Sequence, residues 1–561
     1  MFKDYNTAQV VLPLNLEIMI DPDDISIIID HFVESLPNDT FHVFEKETGR
    51  PAYHPKMMIK LILCAYAQGV RSGRKIEELT KDSIRMRWLA RDNFPSYRTI
   101  NRFRIDKNTA TLLETCFVQF RSFLVGSGEI TEDAIFIDGT KIQANANKNS
   151  FVWRKSIERN EKNLDVKSRL LYQELVENEV IPAIEGELEE LSVSELKKIE
   201  DRLDQVVAKM DNEIASEKSG ARRKEIRSLR KAPKQWRKHF KEARVRNGKY
   251  AKQKEILGKR NSYSKTDHDA TFMRLKEDHM QNGQLKAAYN VQVVTNSQYA
   301  LTYAIFPNPT DTRTLIPFLT TTQERFFELP KYIVADAGYG SEENYQAVID
   351  DFKRIPLMTY NMYRKEQTKK YKKDPFKVEN WEYDEENDQY TCPNGRSLVF
   401  KNYSVRTDKY GFQRNLKMYQ CEDCTACPVR NLCTKAQSDK PRVIQKNPNL
   451  DYFQAYAREL LSVKETGDLY RQRKIDVEPA FGNLKANLGF TRFLVRGTDA
   501  VKNELGFALM AMNIKKYTKK RSTISDFSET SKQKIVVKIF CRILTTIFEL
   551  LKLFKGYVPA P

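Results

Sequence analysis

Two short apolar runs, far apart in the chain, end in the same way. Ala134-Ile-Phe-Ile leads into Asp138-Gly139, and Tyr332-Ile-Val-Ala leads into Asp336-Ala-Gly-Tyr-Gly340. Unbroken apolar runs of this length, closed by glycine turns, read as strands buried on both faces. A buried strand that delivers a carboxylate to its tip must either cap a turn with it or use it chemically.

Further strand patterns fall at 289–294, 300–306 and 355–358. A helix is predicted over 312–327, capped by Thr310 or Asp311, a second over 341–351 and a last helical region over 468–516. Asp311 reads as a helix cap rather than a ligand. With insertions set aside, the order is strand, strand, strand, helix, strand, helix, strand, helix. That is the order of an α/β fold with a ribonuclease H-like mixed sheet, in which the first and fourth strands lie side by side. Asp138 and Asp336 are then neighbours, and two such carboxylates resist joint ionisation unless a cation sits between them. Hard oxygen ligands suit Mg²⁺ or Mn²⁺, which share coordination with substrate phosphates.

A third acid is sought downstream. In Tyr470-Arg-Gln-Arg-Lys-Ile-Asp-Val-Glu478-Pro-Ala-Phe-Gly-Asn-Leu-Lys485, Glu478 and Lys485 are about two helical turns apart and share a face if one helix runs through both. Lys474 and Arg471 can join that face, although Pro479 predicts a helix start or kink at Glu478.

The chain has 561 residues with 94 Lys+Arg against 75 Asp+Glu, a formal charge of +19 that points to a polyanionic partner, nucleic acid first. No apolar run approaches the roughly 20 residues that span a bilayer, and no secretory leader is visible, so a cytoplasmic protein without membrane contact is expected. Residues 1–125 read as a helical DNA-binding domain, in which Ser96 caps a short helix whose Arg98 and Arg102 suit a helix-turn-helix recognition element. A catalytic core is expected over 130–360, interrupted by a charged helical insertion over 150–262. Within that insertion, 171–200 holds nine Glu against two Lys, and 218–260 holds eighteen Lys+Arg against three Glu. This reads as a hairpin with oppositely charged arms. The core's last helices are expected over 451–520. A basic amphipathic tail follows over 521–561, with Ile535, Ile539, Ile543, Ile547 and Leu551 on one stripe.

Residues 361–450 form a Cys-rich insertion. Cys392-Pro-Asn-Gly395 precedes Cys421, Cys424, Cys427 and Cys433, and thiolates at this spacing can converge on one structural Zn²⁺, four of the five serving as ligands. An iron–sulfur cluster is the alternative. Cys64, Cys116 and Cys541 read as core thiols.

Taken together, Asp138-Gly-Thr-Lys-Ile142, Asp336-Ala-Gly-Tyr-Gly340 and the Tyr/Arg/Glu/Lys series of 470–485 resemble the DDE transposases of bacterial insertion sequences, specifically the insertion sequence eleven-eighty-two group related to the insertion sequence four family. Thr266-Asp-His-Asp-Ala-Thr271, Lys286-Ala-Ala-Tyr-Asn290 and Asn308-Pro-Thr-Asp-Thr312 belong to the same resemblance. It implies that Asp138, Asp336 and Glu478 hold Mg²⁺ (or Mn²⁺), and that Tyr470, Arg473 and Lys485 contact transposon-end DNA. Four residues separate Arg473 from Glu478 where the signature has three, which leaves Lys474 as the alternative to Arg473. The implied activity is cleavage of double-stranded DNA at the element's terminal repeats and joining of the 3′-hydroxyls to target DNA, by a homodimer on DNA. A catalytically inactive regulator and a nuclease on the same fold are the rivals. Asp267 and Asp269 read equally as site supports and as loop caps.

Overall fold

The computed structural model describes residues 20–45, 52–184, 191–275, 283–424, 426–437 and 440–526. The predicted tail stripe Ile535 to Leu551, and Cys541, lie outside the described residues.

A six-stranded mixed sheet forms the centre. Strand Ala134–Gln143 lies in its middle, antiparallel to Leu285–Asn296 on one side and parallel to Tyr332–Ala335 on the other, with Ile355–Met358 next. Leu285–Asn296 also carries Thr271–Arg274 and Tyr299–Phe306 along its outer edge. The first and fourth strands of the expected order are therefore adjacent. The inner strands are apolar on both faces because both are covered: Ala134, Phe136, Val334 and Leu357 pack under Val477 of helix Lys464–Gly482. Ile135, Ile137 and Ile333 join the larger core beneath the N-terminal helices.

That larger core is closed by helix Thr498–Asp526, whose Val501, Leu505, Ala508, Met512 and Ile514 are buried against helix Pro55–Ala67 and strand Tyr299–Phe306. Asn513 donates to the Ala300 carbonyl at 2.7 Å and accepts from its N–H at 2.9 Å, so a side-chain amide satisfies backbone groups that a further strand would otherwise pair. Deeper in the same contact, Arg104 and Glu504 form a buried ion pair at 3.0 Å.

Helices Arg154–Glu177, Val193–Ser216, Gly220–Leu229 and Lys231–Leu257 leave the sheet after the short strand Phe151–Trp153 and return through its partner Ser262–Ser264. Three of these helices enclose a small separate core of Leu164, Leu175, Ile199, Leu203 and Phe240. The acidic block 171–200 meets the basic one at its end, where Glu200 pairs with Arg244 at 2.7 Å, and just beyond it Asp204 and Asp211 pair with Arg237 and Arg230. Ser192 and Glu195 close a reciprocal capping box at the start of helix Val193–Ser216.

Pro479 neither starts nor breaks its helix; Lys464–Gly482 runs through it. A proline inside a helix leaves the carbonyl one turn earlier without its donor. Here the Gln298 amide donates to the Ile475 carbonyl at 3.0 Å and replaces the missing bond. Among the described residues, no helix is long and apolar enough to cross a membrane.

Candidate active site

Parallel pairing sets Ile137 opposite Ala335, so the next residues, Asp138 and Asp336, stand side by side where that pairing ends. Asp336 follows the tip of its strand as expected, whereas Asp138 lies inside Ala134–Gln143, whose antiparallel pairing with Leu285–Asn296 continues through Gly139 to Gln143. One oxygen of each carboxylate accepts from a nearby backbone N–H: Asp336 Oδ1 caps its turn at the Gly338 N–H, and Asp138 Oδ1, within its strand, takes the Gly139 N–H, both at 2.7 Å. Arg473 Nη1 lies 3.4 Å from the other oxygen of Asp138.

A third carboxylate joins the pair. Asp311 does not cap the helix that follows; its backbone carbonyl takes the Thr314 N–H, the α-helix proper is Leu315–Arg325, and its side chain turns to the sheet. Its Oδ1 accepts from the Asn290 amide at 2.8 Å and the Gln292 amide at 2.9 Å, both residues fully buried on strand Leu285–Asn296. Gln292 in turn accepts from the hydroxyl of buried Tyr339. Burial, and then the charges of Asp311, Asp138 and Asp336, hold that phenol well above its ordinary range, so it stays a donor. The turn of Asp311 is stitched to the turn of Asp336 by Thr312 Oγ1 donating to the Gly338 carbonyl at 2.9 Å, and by the Asn344 amide donating to the carbonyls of Thr312 and Tyr339.

Helix Lys464–Gly482 covers this end of the sheet. Tyr470 shares a 2.9 Å hydrogen bond with Thr359, just past strand Ile355–Met358, Arg473 faces Asp138, and Val477 is fully buried over the strands. Lys474 and Glu478 are exposed. Five residues at 100° each carry Glu478 about 140° round the helix from Arg473, which explains why one meets the sheet and the other solvent. The described contacts join Glu478 to neither aspartate, and among the described residues no three His, Cys, Asp or Glu side chains stand in a preformed ion cage. Arg473 thus lies beside Asp138, whereas Lys474 is exposed. Lys485 is half-buried in the wider turn Asn483–Asn487 that follows the helix, and Arg98 and Arg102 are exposed on helix Tyr97–Ile105, which Ser96 caps.

Asp267 and Asp269 tie a loop down. Asp267 accepts from the Tyr289 hydroxyl at 2.8 Å and the Gly497 N–H at 3.3 Å, and Asp269 accepts from the Thr498 N–H at 2.8 Å.

The network of Asp311, Asn290, Gln292 and Tyr339 is not among the expectations from sequence. Three of its members sit in stretches already singled out, 286–290, 308–312 and 336–340. The alternation of polar Asn290 and Gln292 inside an otherwise apolar strand was the signal, because buried amides need partners.

The five clustered cysteines line one small void, built on the hairpin of Ser397–Thr407 and Gln413–Cys421. Positive φ at Gly395 turns Cys392 back toward Cys421. All five are free thiols. Burial and a hydrogen bond with Cys424 push the Cys421 thiol up to about 12, and Arg442 donates to Cys433 Sγ at 3.0 Å. The thiols converge, yet no three of them are set as metal ligands. The zinc expectation therefore has the right donors without the geometry of a closed site.

The Transposase DDE domain matches residues 391–518, and the Transposase domain (DUF772) matches residues 14–106. The first span contains Glu478 and Lys485 but neither Asp138 nor Asp336. No curated protein and no solved structure matches the chain. A DDE domain implies a ribonuclease H-like core, and the mixed sheet has the strand order that such a core requires. A transposase match toward each end of the chain, one of them to the DDE domain, supports a DDE-type transposase.

Proposed function

We propose that this transposase binds the terminal repeats of its own element, hydrolyses DNA at the ends and joins the freed 3′-hydroxyls to target DNA, acting in the cytoplasm as a dimer on DNA. The observation that carries the reading is the parallel register that sets Asp138 beside Asp336. Paired carboxylates offer hard, anionic oxygens, a donor set that fits Mg²⁺ or Mn²⁺. When bound, such ions lower the pKa of the attacking water or hydroxyl and stabilise the leaving oxygen.

The chain's own residues do the rest. Asp138 and Asp336 hold charge at the sheet tip, with one oxygen of each fixed by a backbone N–H so that the other is aimed. Arg473 balances Asp138 in the free protein and is positioned to move to a DNA phosphate, alongside Tyr470, Lys474 and Lys485. Arg98 and Arg102 present charge on an exposed helix face to the repeat. Glu478 supplies the third acid once DNA binding turns its helix, whose Arg473 side faces the sheet in the free protein. That step separates the reading from its rival, because an outlying Glu478 is also what a regulator without catalysis would have. A pre-cleaved element end bearing a free 3′-hydroxyl tests the joining step: its transfer into a plasmid in Mg²⁺ is expected, and cleavage without transfer points to a nuclease.

The thiol cluster is proposed as a structural Zn²⁺ site whose ligands draw together on the ion. Protein purified without chelator is expected to carry about one zinc per chain, and Cys421→Ser with Cys424→Ser to lose both the metal and the fold of 381–446. Metal-free protein with five titratable thiols and an unchanged unfolding curve overturns the assignment.

A further inference from the structure

Asp311 has features that a structural carboxylate lacks. Its Oδ1 is saturated by two neutral amides, Asn290 and Gln292, while its Oδ2 has no hydrogen-bond partner among the described residues and faces the turn of Asp336. A Cβ built on Gly338 lies 2.9 Å from Asp336 Oδ1 and 3.8 Å from Asp311 Oδ2, so the two carboxylates flank the same glycine. A Cβ on Gly139 falls 2.7 Å from Asp311 Oδ1 and 2.3 Å from Gln292 Nε2. The residue after Asp138 must therefore lack a side chain for Asp311 to come this close.

The amide chain fixes a direction. The Tyr339 hydroxyl donates to Gln292 Oε1, which leaves Gln292 Nε2 to donate to Asp311 and, at 3.1 Å, to the side-chain oxygen of Asn290. Asn290 spends its remaining amide proton on the Asn308 carbonyl at 3.0 Å. With these donors committed, the Asp311 carboxylate has one orientation. The neighbouring cation, Arg313, pairs with Glu343 and Asp408 instead, and neither Asp311 nor Asp336 has an ion pair among the described residues. Asp311 and Asp336 thus bring two further negative charges beside Asp138 on a chain that is otherwise strongly basic.

We infer that Asp311 is a further metal-binding carboxylate of this site, sharing a divalent cation with Asp336 through Oδ2 and held in place by Asn290, Gln292 and Tyr339. The inference rests on the divalent-metal reading of Asp138 and Asp336; the three carboxylates stand near one another without forming a closed cage and draw together on the ion while Glu478 is outside. The site then loads its first cation before DNA arrives.

The test is Mn²⁺ binding to the full chain without DNA, read from the paramagnetic resonance of free Mn²⁺, for wild type and for Asp311→Asn, Asp138→Asn and Asp336→Asn. Asparagine keeps the Oδ1 contacts, and the unfolding midpoint checks that it does. Asp311→Asn is expected to weaken Mn²⁺ binding by about tenfold or more, as Asp336→Asn does. Asp311→Cys guards against a misfolded variant: a thiolate ligand predicts that the Mn²⁺ to Mg²⁺ ratio of DNA-cleaving activity rises by about tenfold over wild type, which a folding defect does not produce. Wild-type affinity in Asp311→Asn, with loss in Asp138→Asn and Asp336→Asn, overturns the role of Asp311 and leaves the paired-aspartate reading standing. Unchanged affinity in all three variants overturns both.

Discussion

Asp138→Asn and Asp336→Asn are each expected to lower Mg²⁺-dependent DNA cleavage by about a thousandfold or more while leaving end binding and stability near wild type. The magnitude follows from the several kcal/mol of charge stabilisation that a catalytic cation contributes, about 4 kcal/mol being three powers of ten in rate. Selectivity follows from the geometry. Each aspartate uses one oxygen to accept from a backbone N–H, at Gly139 or Gly338, and asparagine still offers that oxygen. If the two residues were only turn caps, asparagine would be nearly silent and alanine would reduce stability. Parallel assays of cleavage, gel retention and unfolding separate the two cases.

The largest effect on stability is expected at Glu504→Ala. Glu504 is fully buried; one oxygen meets Arg104 at 3.0 Å and the other accepts from the N–H groups of Leu494 and Val495 at 2.9 and 3.2 Å. Arg104 is 2% exposed, lies over the Tyr66 ring and donates to the Arg71 carbonyl. Removing the acid leaves a buried guanidinium and two backbone N–H groups without partners, a loss of about 3–5 kcal/mol. The pair ties the N-terminal helices to the last helix of the core, and it joins the two spans that match transposase families. Urea unfolding of Glu504→Ala should show the first transition at markedly lower denaturant. A shift worth less than about 1 kcal/mol contradicts the idea that this contact locks the two parts together.

The sheet was legible because its signal is local. Ala134-Ile-Phe-Ile-Asp and Tyr332-Ile-Val-Ala-Asp each carry apolar strand and acid within five residues, and the two strands pair in parallel. Only Asp336 follows a strand end; Gly139 does not end the first strand, because it is paired opposite Gln292 and the strand continues to Gln143. Asp311 was read as a cap because Thr310-Asp311 before a helical stretch has the composition of one. Its actual partners lie about twenty residues earlier, on a strand whose polar positions acquire meaning only once paired. Pro479 was read as a boundary because local rules do not know of Gln298, which supplies the missing donor from a turn far away in the chain. Glu478 was placed with the acids by family pattern, whereas its angular position on the helix leaves it in solvent in the free protein. At the cysteines, spacing correctly announced convergence, but convergence of thiols is a weaker condition than tetrahedral ligation.

The most direct measurement is cleavage of a labelled duplex taken from the DNA that borders the gene, by wild type and by Asp138→Asn, Asp336→Asn and Glu478→Gln, in Mg²⁺ and in EDTA. The account predicts a nick at the element end that leaves a 3′-hydroxyl, absent in EDTA and lost in all three variants although each still binds the duplex. Binding of the duplex without a nick in Mg²⁺ or Mn²⁺, or a nick that survives in Asp138→Asn, contradicts it.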